Sequence, residues 1–409
     1  MSEPRQPVTR ARGRRGFSLI ELTVAILMVA VLSLGAFWSY TREVDTTRVV
    51  ACHRDLRHLR EALRLYNEDH FQTPYATNDL QGLFGRYLSS IPRDPWTADY
   101  LVDPFLGRLV SRGPNGLLET SIVGSTETPS DQGADDVIEV YEPQGVLACV
   151  VGGVARLYTV DSPEAAIDAQ NNVDAFGAAP DCGVGLSVAG GKLQFLQNLL
   201  SSAVPQELAA APAALAELRL SPDGRRYVAV SADRSGLWVG PASSAAASGP
   251  AMKLYSASSG VQLSVPSWGR DGQEVALATS GGEVWRMAVG AGAQPTVLTT
   301  DAARDTVKNA PSWSADGKWI AYVAQNPGEV HLVSPALSRD AGGAAVRVVT
   351  LTFAGGELGP IAWDPSGRKL ALVVGADLWL ADPLDPTRRL NFTRTMSAKV
   401  TAARSLCWR

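Results

Sequence analysis

The sequence predicts an α+β region, with a long N-terminal helix and a small antiparallel sheet, followed by an all-β region of about six repeats. Three observations predict this: a run of twenty residues without formal charge near the N-terminus, apolar residues at helical spacing beyond it, and a turn ending in glycine that recurs every 45 to 50 residues in the second half. Of the 409 residues, 45% are hydrophobic and 19% are charged, so the chain can build packed cores. This composition excludes wholesale disorder and a coiled-coil rod.

The charge of the chain is unevenly distributed. The formal net charge is −4, but the first sixteen residues contain five arginines and one acidic residue, Glu3. The remainder therefore holds 32 basic and 40 acidic residues, a net charge of −8. An acidic chain is unsuited to coating nucleic acid, so we predict no nucleic-acid partner.

The uncharged run from Leu22 to Thr41 is long enough to cross a bilayer. A helix of this length spans about 30 Å, the thickness of the hydrocarbon core. The arginines before it favour a cytoplasmic N-terminus. A secretory signal peptide has a shorter apolar run and a cleavage site after it, whereas the natural cut here lies before the run. We therefore predict a single-pass protein of the bacterial inner membrane, with most of the chain periplasmic or otherwise extracytoplasmic.

The residues before this run, Arg15-Gly16-Phe17-Ser18-Leu19-Ile20-Glu21, form a motif. It resembles the class III signal of type IV prepilins and type II secretion pseudopilins. The resemblance implies that a prepilin peptidase cuts after Gly16, that Phe17 is then N-methylated, and that Glu21 pairs with the new amine on a neighbouring subunit during assembly. A carboxylate at membrane depth costs several kcal/mol unless it is paired, which gives Glu21 a physical reason to find that amine. The alternative is a plain signal anchor with Glu21 near its cytoplasmic end.

The helix is predicted to continue beyond the membrane, from Phe17 to about Asp69. Apolar residues recur there at spacings of three and four, as on one face of an amphipathic helix. These residues are Val49, Cys52, Leu56, Leu59, Leu63 and Tyr66. His53 and His58 lack the spacing of a metal-binding pair, so we interpret them as surface residues.

Residues 16–141 resemble the major pseudopilin of type II secretion. The resemblance rests on four segments: Leu63–Pro74, Asp79–Leu83, Tyr87-Leu88 and Ile91–Trp96. It implies a helix ending in a tyrosine-containing turn, a short second helix, and a Pro-x-Asp-Pro-Trp segment that leads into a small sheet. In Asp94-Pro95-Trp96, we expect the aspartate to cap a turn and the tryptophan to pack under the helix.

The same resemblance implies a glycine-rich acidic loop that binds calcium. Its candidate side chains here are Asn115, Asp131, Asp135 and Asp136. Calcium takes about six to eight oxygen ligands, which clustered carboxylates and loop carbonyls supply. The sequence departs from the family in having Asn115 where aspartate is usual and in having a longer loop. The alternative is a solvated acidic loop.

The second half contains four copies of one turn, each followed by two β-type runs. The copies are Leu220-Ser221-Pro222-Asp223-Gly224, Trp268-Gly269-Arg270-Asp271-Gly272, Trp313-Ser314-Ala315-Asp316-Gly317 and Trp363-Asp364-Pro365-Ser366-Gly367. Short strands with this period predict a β-propeller. The copies resemble TolB-type propeller repeats.

The C-terminal tail predicts how the propeller closes. Trp408 lies 45 residues after Trp363, in register with the repeat, so Ser405–Trp408 is expected to open a blade. An isolated strand is unfavourable, and we expect it to pair with Val146–Val151, with Ala155–Val160 as the next strand of that blade. Residues 142–409 then form about six blades; a ring of five or seven is the alternative.

Four cysteines are widely spaced, and none forms a C-x-x-C motif, so zinc ribbons and thioredoxin-like chemistry have no support. If a disulfide forms, Cys149 with Cys182 is the favoured pair; buried free thiols are the alternative.

The sequence offers no catalytic motif of a familiar class: no nucleophile elbow, H-E-x-x-H, phosphate-binding loop or dinucleotide fingerprint. We interpret Asp223, Asp271 and Asp316 as turn residues and the repeat tryptophans as blade packing. The predicted arrangement is a leader at 1–16, a helix and pseudopilin-like domain at 17–141, and a propeller at 142–409. The predicted function is a non-enzymatic pseudopilin-like subunit that meets other pilin-type subunits and presents a propeller to an unknown ligand or secreted protein. A type IV pilus tip adhesin and a membrane-tethered propeller enzyme are the alternatives.

Overall fold

The computed structural model describes residues 18–70, 73–127, 129, 130, 135–201, 204–208, 214–243, 250–299, 308–325, 328–335, 347–353, 357–395 and 403–409. Of residues 36–42, 163–165, 347–350 and 395 it describes the backbone only.

One helix, α1, runs from Leu19 to Asp69 over 51 residues. Its outer half follows the predicted apolar stripe, because Cys52, Leu56, Leu59 and Leu63 are fully buried. The helix ends where the His70 backbone amide donates to the Tyr66 carbonyl at 2.9 Å. The predicted end near Asp69 is confirmed, whereas the helix begins at Leu19, after the Ser18 cap, and the predicted start at Phe17 lies outside the described residues.

A small antiparallel sheet packs against the outer half of α1. Its strands lie in the order β1-β2-β3, with bounds Leu101–Asp103, Arg108–Ser111 and Val137–Val140. A short 3-10 helix at Gln81–Leu83 buries Leu83 in the same core. This is the α+β half of the predicted fold.

The turn at Asp94–Ala98 is hydrogen-bonded to this sheet through Asp94. One oxygen of Asp94, Oδ1, accepts from the amides of Trp96 at 3.1 Å and Ala98 at 2.7 Å. The other accepts from the Ser111 hydroxyl at 2.8 Å, and Trp96 packs half-buried against the core under the helix. The predicted roles of Asp94 and Trp96 are confirmed.

The remaining described residues form six four-stranded antiparallel sheets, which are the blades of a β-propeller. The closing blade contains β4 (Val146–Val151), β5 (Val154–Thr159), β6 (Ser162–Asn171) and β27 (Arg404–Trp408). The next contains β7 (Ala175–Ala178), β8 (Val184–Ala189), β9 (Lys192–Gln197) and β10 (Val204–Glu207). The third contains β11 (Leu215–Leu220), β12 (Arg226–Ser231), β13 (Gly236–Pro241) and β14 (Met252–Ser256).

The other three blades have the same strand order. The fourth contains β15 (Ser267–Trp268), β16 (Glu274–Ala278), β17 (Val284–Ala288) and β18 (Thr296–Val297). The fifth contains β19 (Lys308–Trp313), β20 (Ile320–Ala324), β21 (Glu329–Val333) and β22 (Arg347–Thr352). The sixth contains β23 (Leu358–Trp363), β24 (Leu370–Val374), β25 (Asp377–Ala381) and β26 (Arg389–Asn391). The predicted number of about six blades is confirmed.

The first strands of the repeats, β7, β11, β15, β19 and β23, form a ring with β27 in which neighbours contact one another. The repeat tryptophans bridge between blades. The indole nitrogen of Trp268 donates to the Arg219 carbonyl at 3.0 Å, and that of Trp363 donates to the Ser312 carbonyl at 2.9 Å. The interpretation of these tryptophans as blade packing is therefore confirmed.

The repeat aspartates close turns. Asp223 Oδ1 accepts from the Arg225 amide at 3.1 Å, and Gly224 has φ +68°. A further copy of this turn escaped the sequence analysis at Ala178-Ala179-Pro180-Asp181-Cys182. There Asp181 accepts from the Gly183 amide at 2.9 Å, and Cys182 takes the glycine's place with φ +52°.

The propeller closes as the tail predicted. Strand β27 pairs antiparallel with β4, and Trp408 lies opposite Leu147. The Arg409 amide donates to the Val146 carbonyl at 2.8 Å, and the Trp408 indole donates to the Gln144 carbonyl at 2.5 Å. The two ends of the repeat region thus share one sheet.

All four cysteines are free and buried, so a Cys149–Cys182 disulfide is not formed. Successive side chains of a strand point to opposite faces. On β4, Ala148 and Val150 face the cluster that contains Cys182, whereas Cys149 faces the opposite cluster, with Trp408. Burial raises the pKa of Cys149 to about 12 and that of Cys182 to about 11, which keeps both thiols protonated and unreactive at neutral pH.

The helical half and the propeller share a hydrophobic core. Phe105, Leu106 and Val123 pack in the same cluster as Leu147, Tyr158 and Trp408 of the closing blade. The Lys369 ammonium lies 5.4 Å from the centre of the Phe105 ring and donates to Gln144 Oε1. The closing blade and the sixth blade therefore carry the contact between the two halves together.

We expect Trp408→Ala to destabilise the chain by about 3–5 kcal/mol, because it leaves a large cavity in the core that both halves share. The matched control is Trp238→Ala, which removes a half-buried indole from β13, away from the closing blade. Thermal unfolding of the full chain in detergent measures both variants. Equal losses would show that the closing blade has no special role.

Candidate cation site and assembly surface

The first turn of α1 is organised by Ser18 and Glu21. The Ser18 hydroxyl accepts from the amides of Ile20 at 3.2 Å and Glu21 at 3.4 Å, while the Ser18 amide donates to Glu21 Oε2 at 3.2 Å. This reciprocal capping box satisfies backbone amides that have no partner within the helix. It also holds a negative charge at the positive end of the helix. Gly16 and Phe17 lie outside the described residues.

The N-terminal part of α1, around and beyond Glu21, exposes a long apolar surface. The exposed fraction is 82% for Leu19 and 62% for Leu34. The large apolar side chains exposed between them are Ile20, Leu22, Val24, Ile26, Leu27, Met28, Val29, Val31 and Leu32. We define these eleven residues as the apolar surface of α1.

Among the residues that the structure describes, none of the helices combines the length and the apolar character needed to cross a membrane.

Three carboxylates converge beside the small sheet. Glu119, Asp135 and Asp136 each place an oxygen within 4.8 Å of the others. Glu119 Oε2, Asp135 Oδ1 and Asp136 Oδ1 are buried and have no hydrogen-bond partner among the described residues. A buried oxygen without a partner is costly, so the arrangement is suited to a cation.

The remaining oxygens hold the three carboxylates in place. Asp136 Oδ2 accepts from the Thr120 amide at 2.6 Å, and Asp135 Oδ2 accepts from the Asn115 amide at 3.2 Å. Asn115 Nδ2 donates to Glu119 Oε1 at 2.5 Å. Each acid thus uses one oxygen as an anchor and presents the other.

Gly113 lets the two loops approach each other. It has φ +62°, and a Cβ there would lie 2.2 Å from the Asp135 carbonyl oxygen. A side chain at this position would therefore push the loop containing Asp135 away from Asn115.

Burial raises the pKa of Asp136 above its ordinary value, and the adjacent Glu119 carboxylate acts in the same direction. The Thr120 amide and hydroxyl oppose this rise. Arg112, the basic residue nearest in the sequence to Gly113, pairs instead with Glu127 at 2.6 Å. Several oxygens and no soft ligand make the cluster suitable for a hard divalent ion such as calcium.

The structure brings Asp135 and Asp136 together and places Asn115 beside them as the hydrogen-bond donor to Glu119. Asp131 lies outside the described residues. Glu119 was missed by the sequence analysis, which considered only the two glycine-containing stretches at residues 111–116 and 131–136. Its signal was a lone acid in Leu117-Leu118-Glu119, directly between those stretches.

A family model described as the prokaryotic N-terminal methylation motif matches residues 11–37. The type II secretion system core protein G of Klebsiella michiganensis is 27% identical over 146 residues, which cover 32% of this chain and 94% of that protein. The core protein G of Pseudomonas aeruginosa is 25% identical over 103 residues, covering 22% of this chain and 72% of that protein.

Solved structures resemble the propeller. TolB from Acinetobacter baumannii has a TM-score of 0.48 and 15% identity, with 64% of this chain and 66% of that chain covered. A putative TolB from Agrobacterium tumefaciens has a TM-score of 0.41 and 17% identity, with 61% and 90% covered. The assignment of a propeller rests on the six described sheets rather than on these likenesses. The chain thus carries a prepilin-type methylation motif and a segment similar to core protein G, joined to a β-propeller.

Proposed function

We propose that this chain is a non-enzymatic, pseudopilin-like subunit of a type II secretion system or a related type IV pilus-like machine. It is anchored in the bacterial inner membrane through α1 and carries an extracytoplasmic propeller that binds a protein or another ligand. The observation that supports this most directly is the apolar surface of α1, which lies within the residues matched by the methylation motif and has the Glu21 cap near its start.

The apolar surface of α1 requires a partner. Contiguous exposed apolar area of this kind marks a site of contact with other proteins or with lipid. Before assembly that contact is the bilayer, and within a filament it is the helices of neighbouring pilin-type subunits. Glu21, at the start of this surface, pairs with the methylated amine of Phe17 on a neighbour, which removes an otherwise uncompensated charge.

The size of the propeller restricts the positions that the subunit can occupy in a filament. Six blades are bulky beside one helix and a three-stranded sheet, so copies packed along a narrow fibre would collide. We therefore propose a minor or tip position rather than that of the abundant repeating subunit.

The experiment that tests the function is Gly16→Leu in the producing bacterium. We expect the wild-type chain to lose residues 1–16 and to begin at N-methylated Phe17, because the prepilin peptidase cuts after Gly16. The variant should keep its leader, remain in the membrane and be absent from the filament fraction. Intact-mass analysis and fractionation provide the readout.

Gly35→Leu is the matched control for cleavage, since it makes the same substitution on α1, where no heavy atom lies within 4 Å of an added Cβ. It should be processed normally. Normal processing of Gly16→Leu, or a wild-type chain that keeps residues 1–16, would contradict the proposal.

We further propose that Glu119, Asp135 and Asp136 bind calcium, with Asn115 positioning Glu119 and with Asp131 as a predicted additional ligand. The three orphaned oxygens support this site. A bound ion would complete their coordination and hold the loop between β2 and β3 against the sheet.

We expect calcium to raise the thermal midpoint of the full chain in detergent. At a free calcium concentration a hundred times the dissociation constant, the free energy of unfolding should increase by about 2.7 kcal/mol. Asp136→Asn should lose this gain, whereas Asp99→Asn, at an exposed surface pair, should keep it. A wild-type midpoint that is the same in calcium and in chelator would contradict the site.

The pH dependence of this effect has a defined sign. The pKa of Asp136 is raised in the folded chain, so without calcium its ionisation disfavours folding. This destabilising contribution to the free energy of unfolding therefore diminishes as the pH falls through the raised pKa of the folded chain. It is gone once the pH is below the ordinary pKa, where the unfolded chain is protonated as well. Calcium binding weakens over the same window because protons compete for the oxygen.

A further inference from the structure

A cavity of about 220 Å³ opens at one mouth of the propeller's central channel. It is formed by the C-terminal ends of β11, β15, β19, β23 and β27, together with Pro180 after β7. Its lining includes Trp268 and Trp313. Because every blade contributes, residues at equivalent repeat positions can be compared directly.

One of these positions departs from the repeat. The residue before the repeat tryptophan, or before the residue that replaces it, occurs once in each inner strand. The six residues are Gly177, Arg219, Ser267, Ser312, Ala362 and Cys407. Five are small, so packing of the inner strands does not require an arginine at the sixth.

Arg219 lacks a carboxylate partner. Its side chain donates one hydrogen bond, from NH1 to the Leu218 carbonyl at 2.9 Å, and no acid lies within ion-pair distance among the described residues. Burial lowers the pKa of Arg219, although a guanidinium remains charged at any physiological pH. A partly desolvated charge of this kind is costly until an anion pairs with it.

A second cation stands at the same mouth. Arg270 lines the cavity at a repeat position that is Pro222, Ala315 or Pro365 in other blades. It is exposed and, in the described part of the chain, has neither a hydrogen bond nor an ion pair through its side chain. A third arginine, Arg409, also lines the cavity, and its side chain donates to the Ala178 carbonyl at 3.1 Å. Arg219 and Arg270 are thus the two lining arginines left to meet a ligand.

The acidic side chains nearby are already engaged. Asp364, in the cavity wall, accepts from the amides of Arg368 at 2.7 Å and Lys369 at 2.8 Å. Glu217, which counteracts the pKa shift of Arg219, accepts from the Ser405 hydroxyl at 3.2 Å and lies 4.0 Å from Arg234. The charged side chains of the lining are three arginines and one acid, Asp364, so the mouth has an excess of positive charge beside apolar walls.

We propose that this mouth binds an organic carboxylate with an apolar body, held by Arg219 and Arg270 and packed against the indoles of Trp268 and Trp313. A guanidinium presents paired donors that match the two oxygens of a carboxylate. The aromatic walls bury the apolar part of the ligand. This inference rests on the proposed function of the propeller as a ligand-binding domain and names the class of ligand. It does not depend on processing at Gly16.

The test uses the full chain in detergent, with phenylacetate as the probe and intrinsic tryptophan fluorescence as the readout. Phenylacetate should produce a saturable change in fluorescence. Its neutral counterpart phenylacetamide should bind at least about tenfold more weakly, because it cannot form the charged pair. Arg219→Ser should weaken phenylacetate binding to a similar degree. This substitution introduces the residue found in two other repeats, so the fold should persist, as thermal unfolding checks.

Arg225→Ser is the matched control, since Arg225 is an exposed arginine of the same blade outside the cavity, and it should leave phenylacetate binding unchanged. Three results would overturn the proposal. They are equal affinity for phenylacetate and phenylacetamide, full affinity for phenylacetate in Arg219→Ser, and a wild-type chain that binds neither phenylacetate nor the peptide described next.

A peptide ending in Gly-Phe, with a free or an amidated C-terminus, identifies the source of the carboxylate. Tighter binding of the free peptide than of phenylacetate supports a protein chain end, and weaker binding supports a small organic acid. The Gly16→Leu chain should bind phenylacetate like the wild type, so failure of cleavage and failure of the cavity are separate outcomes.

Discussion

The closing blade joins β27 to β4 through an antiparallel pairing in which Trp408 lies opposite Leu147. This contact joins residues more than two hundred positions apart, and such long-range closure costs chain entropy before it returns any packing energy. The packing that offsets this entropy cost involves both halves of the chain. Trp408 fills the core of the closing blade, and Phe105, Leu106 and Val123 of the helical half enter the same core. Ring closure and attachment to the helical half are thus one packing event.

This shared core gives the proposed function its geometry. The Arg388 side chain donates to the Ala76 carbonyl at 2.6 Å, adding a polar tie beside the Lys369–Gln144 contact. Burial lowers the pKa of Lys369, while Asp364, Glu142 and Asp103 favour its charged form. A propeller held in this way moves with the helix that carries it, so its cavity keeps a fixed position relative to α1. A flexible linker would instead leave the cavity free to rotate.

The sequence predicted those features that depend on spacing. Apolar residues at helical spacing located α1, and the tryptophan period located the strand that closes the ring. It failed where tertiary packing decides the outcome. Of the two alternatives for Cys149 and Cys182, the buried free thiols hold and the disulfide does not, because alternation along β4 turns Cys149 away from Cys182. Glu119 was missed because loop geometry, and no motif, brings it to Asp135 and Asp136. The turn at Asp181 was hidden because Cys182 adopts a conformation that usually indicates glycine.

Differential scanning calorimetry of the full chain in detergent tests most directly whether the two halves form one body. The shared core predicts a single cooperative transition, in which the helical half and the propeller unfold at the same temperature. Phe105→Ala should lower that temperature for both halves together, although Phe105 lies outside the repeats. Two well-separated transitions in the wild-type chain, or a Phe105→Ala effect confined to the helical half, would contradict the account.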